Sequence, residues 1–334
     1  MRIEQLDPAD EKTTRACFDV AAAAQKVDDP VQPPPTYGLF HLHLREGHGK
    51  TPGEVWVARD ADGTVAGYYR IDLPDLENRD EANGGPLVHP AARRRGIGRE
   101  LLRHAGERAA AHGRTRYGSA VTAGTAGDAF AQAAGARLDL EEIRRIQYLR
   151  EIAPGTIDTL RASAEKAAAG YSLVSWTGLV PDDYCGPVAG VLNAFNDAPH
   201  GVNEEPAAWD ADRVRERTGL SLRAGLLRSH SVAAIHDSTG EMSALTEVAI
   251  NPEQPSWGWQ QLTAVVRTHR GHRLGLLVKT AMLTLLATAE PQLEQIETGN
   301  AANNPYMISV NEQLGYRVVN PFWRFYEMPV SAMS

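Results

Sequence analysis

Apolar and polar positions alternate along this chain with two periods, and the switches between them outline its elements. Residues 2–6 read as a strand. Asp7-Pro8-Ala9-Asp10 follows, with Asp10 placed to cap an alanine-rich helix running to about residue 24. Four prolines between positions 30 and 35 predict a loop. Residues 54–59 and 65–71 form a hairpin around Asp60-Ala61-Asp62-Gly63, where the glycine is available for positive φ. Leu87-Val88 ends a further strand, and an arginine-rich loop leads into a helix over residues 97–111. A strand over 115–121, a small helix over 128–133 and two closing strands, 137–140 and 143–149, complete this half.

The second half repeats the order. Residues 171–176 are strand-like, 184–194 and 211–218 helical, and 231–236 and 242–250 make a hairpin around Asp237-Ser238-Thr239-Gly240. A fourth strand, 257–266, runs into Arg267-Thr268-His269-Arg270-Gly271-His272-Arg273-Leu274-Gly275 and then an apolar helix over about 276–289. Arg93 precedes Gly135 by 42 positions and Arg270 precedes Gly315 by 45, so the spacing predicts an internal duplication. The expected organisation is α/β: two domains of mixed sheet flanked by helices, 1–150 and 171–334, joined by a helical connector over 151–170.

Composition narrows the function. With 334 residues, 43% of them hydrophobic, the chain can fill two cores. A net charge of −8 argues against nucleic acid as a partner, because phosphate binding needs a cationic excess. Cys17 and Cys185 lie far apart and lack metal-ligand spacing, which predicts reduced, half-buried thiols. No apolar run reaches the roughly 18 residues of a membrane span, and the N-terminus lacks the order of a signal peptide, so a cytoplasmic protein with no membrane partner is expected.

The junction Arg93-Arg94-Arg95-Gly96-Ile97-Gly98 carries the clearest chemistry. The first N–H groups of a helix lack internal partners and sit at the positive end of its dipole, so several can meet an anion together. Each such contact contributes about 0.3–1 kcal/mol, which favours a diphosphate over a single carboxylate. A dinucleotide fingerprint would need a third glycine where Leu101 stands, and the Gly-Lys-Ser/Thr of a P-loop is absent. A solvated basic turn is the plain alternative.

The stretch from Val88 to Gly98 closely resembles motif A of the GNAT acetyltransferase superfamily, Arg/Gln-x-x-Gly-x-Gly/Ala. Val265 to Gly275 is similar to the same motif, with Arg273 where a glycine is usual. The segment from Asn304 through Asn311 to Leu314-Gly315-Tyr316 resembles motif B. The tandem arrangement is similar to that of two-domain, mycothiol-synthase-like acetyltransferases.

This resemblance implies acetyl-CoA as cosubstrate, no metal, and acetyl transfer to the amine of a small molecule or peptide. It implies cofactor contacts at Leu87, Val88, Arg93, Arg94, Arg95, Gly96, Ile97 and Gly98 in the first copy. In the second copy it implies them at Val265, Val266, Arg270, Gly271, His272, Arg273, Leu274, Gly275 and Asn304. The backbone amides of Leu87 and Val88, or of Val265 and Val266, are candidate donors to the thioester oxygen.

In the first copy Gly124 and Ala131 replace the family's Asn and the Tyr that protonates the thiolate. In the second, Asn304 is kept and Asn311 stands at the Tyr position, so the C-terminal copy is expected to be the catalytic one. Glu247, in an apolar strand, is the candidate base, and a solvent-facing strand residue is its plain alternative. Tyr306 and Asn311 are candidates on the acid side, while Tyr316 reads as core.

His269, His272, His41 and His43 read as phosphate-side or surface residues rather than zinc ligands. Trp257 and Trp259 read as core or cleft wall. Asn196, Asp197, His200, Glu204 and Glu205 form a polar loop suited to a cationic acceptor. A non-catalytic acyl-CoA sensor is the rival function, and either a monomer with an internal pseudo-dimer or a homodimer is expected.

Overall fold

The computed structural model describes residues 1–7 and 9–333, so Pro8 of the expected turn lies outside the described residues. The chain divides into two compact units. Unit 1 comprises 1–141, 201–205 and 321–334, and unit 2 comprises 142–200 and 206–320.

Unit 1 begins with β1 (Arg2–Gln5), α1 (Glu11–Asp28) and α2 (Tyr37–Glu46). Asp10 caps α1 by accepting from the Thr13 amide, and the helix runs four residues beyond the expected end. The hairpin is β2 (Gly53–Arg59) and β3 (Val65–Asp72), with Gly63 at φ +84° in its turn. Next come β4 (Glu81–Gly84), β5 (Leu87–Val88), α3 (Ile97–Ala111), β6 (Arg116–Thr122) and α4 (Ala126–Ala133). The chain then enters β7 (Arg137–Tyr148), one continuous strand where two were expected.

The sheet order is β1-β2-β3-β4-β6, antiparallel except for the parallel β4–β6 pair, with β5 also on β3. Tyr69 and Ile71 of β3 pack with Leu101, Ala105 and Ala109 of α3 on one face. Tyr68 packs with Cys17 and Val20 of α1 on the other, as the period of two requires, and Val65 joins that face because the register shifts between Val65 and Gly67.

Unit 2 contains α5 (Thr156–Ala167), β8 (Tyr171–Thr177), α6 (Asp182–Ala194), α7 (Ala211–Arg217), α8 (Leu220–Arg223), β9 (Arg228–His236), β10 (Met242–Ile250) and β11 (Trp257–Val265). It continues with α9 (Leu274–Ala289), β12 (Gln295–Ala301) and α10 (Pro305–Gln313), and ends within β13 (Tyr316–Pro329). Its sheet repeats the order of unit 1, β8-β9-β10-β11-β12, with β11–β12 the parallel pair.

Each copy gives its closing strand to the other unit. Residues 321–329 of β13 pair antiparallel with β6, and residues 142–148 of β7 pair antiparallel with β12. The division expected at 150/171 therefore differs from the spatial one, because a strand that crosses over belongs to the sheet it bonds rather than to its own copy. The expected connector is α5, whose Ala164, Ile157 and Leu160 pack into the core formed by α9. No helix among the described residues is long and apolar enough to cross a membrane.

Candidate active site

β11 and β12 pair only at Trp257↔Gln295, Gly258↔Ile296 and Trp259↔Glu297. Beyond Trp259 they part. A cleft of about 1230 Å³ opens between them, with Gln260 to Val265 on one wall and Thr298 to Ala301 on the other, all within unit 2. β11 stays bonded to β10 along this stretch, from Glu247↔Leu262 to Ala244↔Val265. The Val266 amide donates to the Ser243 carbonyl at 2.9 Å. Antiparallel alternation then turns the Ala264 amide toward β10 and the Thr263 and Val265 amides toward the cleft. The Val265 amide is thus turned away from β10. Val266 is corrected, since its N–H is already used.

The second arginine loop forms the mouth of this cleft. Arg270, Gly271, Arg273, Leu274 and Gly275 line it with Asn304 and Tyr306 of the facing segment. Gly271 has φ +92° and Arg273 has φ +54°; Arg273 is the N-cap of α9, and no side chain caps that helix. The Arg273 guanidinium donates instead to Ser163 Oγ (2.6 Å) and Gln313 Oε1 (3.1 Å). A non-glycine residue thus occupies the left-handed position and leaves the loop backbone open toward an anion. Arg270 Nε donates to the Val265 carbonyl at 3.3 Å and its Nη2 to Asp197 Oδ2 at 2.9 Å.

The first loop has the same turn. Arg94 (φ +63°) and Gly96 (φ +83°) take the left-handed positions, and α3 begins at Ile97 without a side-chain cap. Leu87 and Val88 pair with Tyr68 and Gly67. Arg93 donates to the Val88 carbonyl and to both carboxylate oxygens of Asp28, and Arg95 pairs with Asp60. Arg94 is exposed, and Gly98 lies beside the Phe130 ring.

Glu247 lies across β10–β11 from Leu262, one strand in from the cleft wall, at an irregularity in register that follows it. Burial pushes its carboxyl above the ordinary range, with the nearby Ser229 hydroxyl opposing the shift. Gln260 Nε2 plugs the irregularity, donating to the Glu247 and Leu262 carbonyls.

Other candidates are placed differently. Asn311 is fully buried and does not reach the cleft; it accepts from Lys279 Nζ (2.8 Å) and donates to Asn300 Oδ1 (2.7 Å). Tyr306 lies at the cleft but is 86% exposed, so no protein wall holds its hydroxyl in place. Tyr316 is core. The exposed His272 side chain turns against the Tyr171 ring, away from the cleft, and His269 is buried between Tyr171 and Glu241. His43 is not an ordinary surface histidine. It stacks on His48, and burial pushes its pKa down to about 4.

Of the polar loop, only Asp197 lines the cleft, together with Phe195, Ala198 and Pro199. Asn196 bonds the Ala207 backbone, and Glu205 and Asn78 bond each other in unit 1. The Trp257 and Trp259 rings lie 6.5 Å apart, tilted at 46°, and are not among the residues lining the cleft. Both cysteines are free and buried, and burial pushes the Cys17 thiol up to about 12. Among the described residues no group of three His, Cys, Asp or Glu side chains could hold a metal.

Sequence reasoning missed Lys279 and Glu142, both of which line the cleft. Lys279 had a visible signal: it is the sole charged residue in the 16-residue apolar helix α9.

Residues 51–135 match the family model "Acetyltransferase (GNAT) domain". Across 98% of both chains the structure superposes, with a TM-score of 0.81 and 32% identity, on a tandem GNAT protein from the clavulanic acid biosynthesis pathway. The chain belongs to the GNAT acetyltransferase family. Its tandem GNAT architecture is therefore the fold of the whole chain. Among curated GNAT relatives, it is 40% identical over 86 residues to mycothiol acetyltransferase of Salinispora tropica, covering 25% of this chain and 26% of the relative. It is 34% identical over 100 residues to that of Geodermatophilus obscurus, covering 30% of each. The matched segments thus span less than a third of these relatives. A GCN5-related N-acetyltransferase from Sphaerobacter thermophilus, at 16% identity and TM-score 0.69, shares the fold.

Proposed function

We propose that this protein transfers an acetyl group from acetyl-CoA to an amine and that the chemistry takes place in unit 2. The observation that carries the reading is the cleft between β11 and β12, with the uncapped start of α9 at its mouth and open strand amides along its wall. A diphosphate fits the loop from Arg270 to Gly275, and a pantetheine arm can bond β11 in place of the missing strand.

The residues suit direct transfer. Glu247 does not itself line the cleft, so an ammonium acceptor gives its proton to Glu247 through a water, and a carboxyl pushed upward by burial is the better base for it. The freed nitrogen attacks the thioester carbon, and the negative charge growing on the carbonyl oxygen meets the amide of Thr263 or Val265. Unit 1 offers a similar corner without this base. The pairs Gly67↔Val88 and Ala244↔Val265 bring the copies into register, and three residues further on stand Arg70 and Glu247. Arg70 is tied to Asp72 and to the Leu44 and Thr51 carbonyls, so unit 1 is assigned a structural or cofactor-binding role.

The names of the relatives favour a small-molecule acceptor. The test is calorimetric titration with acetyl-CoA, followed by thiol release with a panel of small amines, amino sugars and peptides. Binding with thiol release supports the reading, and absence of binding overturns it. A non-catalytic acyl-CoA sensor is favoured by one observation, the lack of a tyrosine at positions 131 and 311. It predicts binding with no thiol released from any acceptor.

A further inference from the structure

Breaking a thioester leaves a thiolate that needs a proton, and neither Asn311 nor the exposed Tyr306 is placed to give one. Of the proton-bearing side chains on the cleft wall, which include the Glu142 carboxyl and the Ser309 hydroxyl, Lys279 is the buried ammonium. Lys279 lies on the second turn of α9, is 3% exposed, and lines the cleft. Its Nζ donates to Asn311 Oδ1 and sits 4.6 Å from the centre of the Tyr316 ring. Among the described residues no carboxylate lies within ion-pair distance of it. The groups facing it are Asn311 from α10, Tyr316 from β13 and Asn300 from β12, and the register places Arg145, opposite Thr298, on the same side of the sheet.

An ammonium buried without a counter-charge costs several kcal/mol. Packing does not demand it. Four residues after Gly98 and Gly275 stand Leu102 and Lys279, and four residues before Gly135 and Gly315 stand Ala131 and Asn311. The corresponding helix in unit 1 carries leucine at this position, where Leu102 packs against its core. The lysine and the asparagine that holds it occur together in unit 2 and are both replaced in unit 1. This is the expected pattern if the pair serves the chemistry of one cleft.

We propose that the Lys279 ammonium, oriented by Asn311, is the proton donor to the departing coenzyme A thiolate. As the acceptor nitrogen bonds to the acetyl carbon, the carbon–sulfur bond breaks and its electron pair goes to sulfur. The Nζ proton follows it, giving the free thiol and a neutral amine. The amine regains a proton from solvent, into which the acceptor's own proton passes by way of Glu247. Burial pushes the Lys279 pKa down to about 7, so donor and recharged forms are both accessible near neutrality.

This inference rests on the reading of unit 2 as the acetyl-CoA cleft, and its test separates the two. The probe is coenzyme A itself, bound to the full chain, with its thiolate followed by ultraviolet absorbance as pH is raised. If Nζ lies beside the sulfur, the two share a proton, and thiolate appears at least one pH unit below its value in free coenzyme A, a tenfold change in equilibrium. In Lys279→Met and Lys279→Gln the titration returns to the free value or above it. Glutamine keeps a hydrogen-bonding partner for Asn311 and decides the question if the methionine variant does not fold. The same titration in wild type and variants, with coenzyme A bound in each, overturns the proton donor and leaves the cleft standing. No binding to the wild type by calorimetry overturns both.

Discussion

The two arginine loops are copies that kept their backbone and changed what surrounds it. In each, the second and fourth positions are left-handed, filled by Arg94 and Gly96 in one and by Gly271 and Arg273 in the other. In each, the leading arginine donates to the carbonyl of a strand-end valine and to an aspartate near the end of the preceding long helix. The grip differs. Asp28 holds Arg93 through both oxygens with side chains 21% and 19% exposed, while Asp197 holds Arg270 through one contact with 37% and 47% exposed. Turn geometry is fixed by local sterics and survives duplication. The availability of charge is set by neighbours and does not.

The largest expected separation between the copies lies at the proposed base, Glu247. Glu247→Gln should lower turnover about 100-fold once an acceptor is found, with acetyl-CoA binding kept, as measured by steady-state kinetics beside calorimetry. Arg70→Gln at the corresponding place in unit 1 should leave turnover unchanged and lower the urea midpoint, because it releases the Leu44 and Thr51 carbonyls. Equal loss of turnover in both would erase the asymmetry.

A smaller effect is expected at the loop arginines. Arg270→Ala should raise the acetyl-CoA KM about tenfold, the worth of one charge-assisted bond to phosphate. Arg93→Ala should leave that KM within about twofold, while Asp28, left half-buried and unpaired, lowers stability by about 1–3 kcal/mol. If Arg93→Ala is the variant that raises KM, the productive site has been placed in the wrong copy.

Titration acts with the same sign in both units and separates them by pH window. His43 in unit 1 is pushed below its unfolded value, so the folded state binds fewer protons. Its contribution is whole above about pH 6.5 and is lost as pH falls toward 4. Lys279 in unit 2 is likewise pushed down, to about 7, so its burial penalty is full below pH 7. Stability is regained as pH rises from 7 toward 10.5. Converting the unit 2 pair to that of unit 1, Lys279→Leu with Asn311→Ala, should therefore stabilise most below pH 7. The gain should vanish near pH 10.5, as followed by urea unfolding across pH. His43→Phe should flatten only the acid limb.

Much of this architecture was legible because local rules and tertiary context agreed. Helix 97–111 and strand 242–250 were read with their observed ends, and Asp10 caps as expected. The misses share a cause, which is that the deciding partner is remote in sequence. Gln295 to Ala301 is too polar and glycine-bearing to look like a strand, and its ladders to β7 and β11 make it one. The exchange of closing strands leaves no local mark. Around the cleft, the loop from Arg270 to Gly275 is visible from residue type and spacing, and Glu247 stands out as a carboxylate in an apolar strand. That Val266 is already bonded, that Glu205 belongs to unit 1, and that Asn311 serves Lys279 follow only from the register and packing of the folded chain.

The finest distinction between the copies is the exchange of glycine and arginine at the left-handed positions. A non-glycine residue there costs about 1 kcal/mol, partly offset because glycine is freer in the unfolded chain. Arg94 is exposed and no hydrogen bond of its side chain accompanies the turn, so Arg94→Gly should be neutral or stabilise by up to about 0.5 kcal/mol. Arg273 has the same strain but anchors Ser163 of α5 and Gln313 of α10. Arg273→Gly should therefore destabilise by about 1 kcal/mol, since two hydrogen bonds outweigh the relieved strain. The same substitution thus has opposite sign at equivalent turns, a difference readable as urea midpoints moving in opposite directions. Parallel shifts would show that the Arg273 side chain contributes nothing to the cleft mouth beyond its backbone.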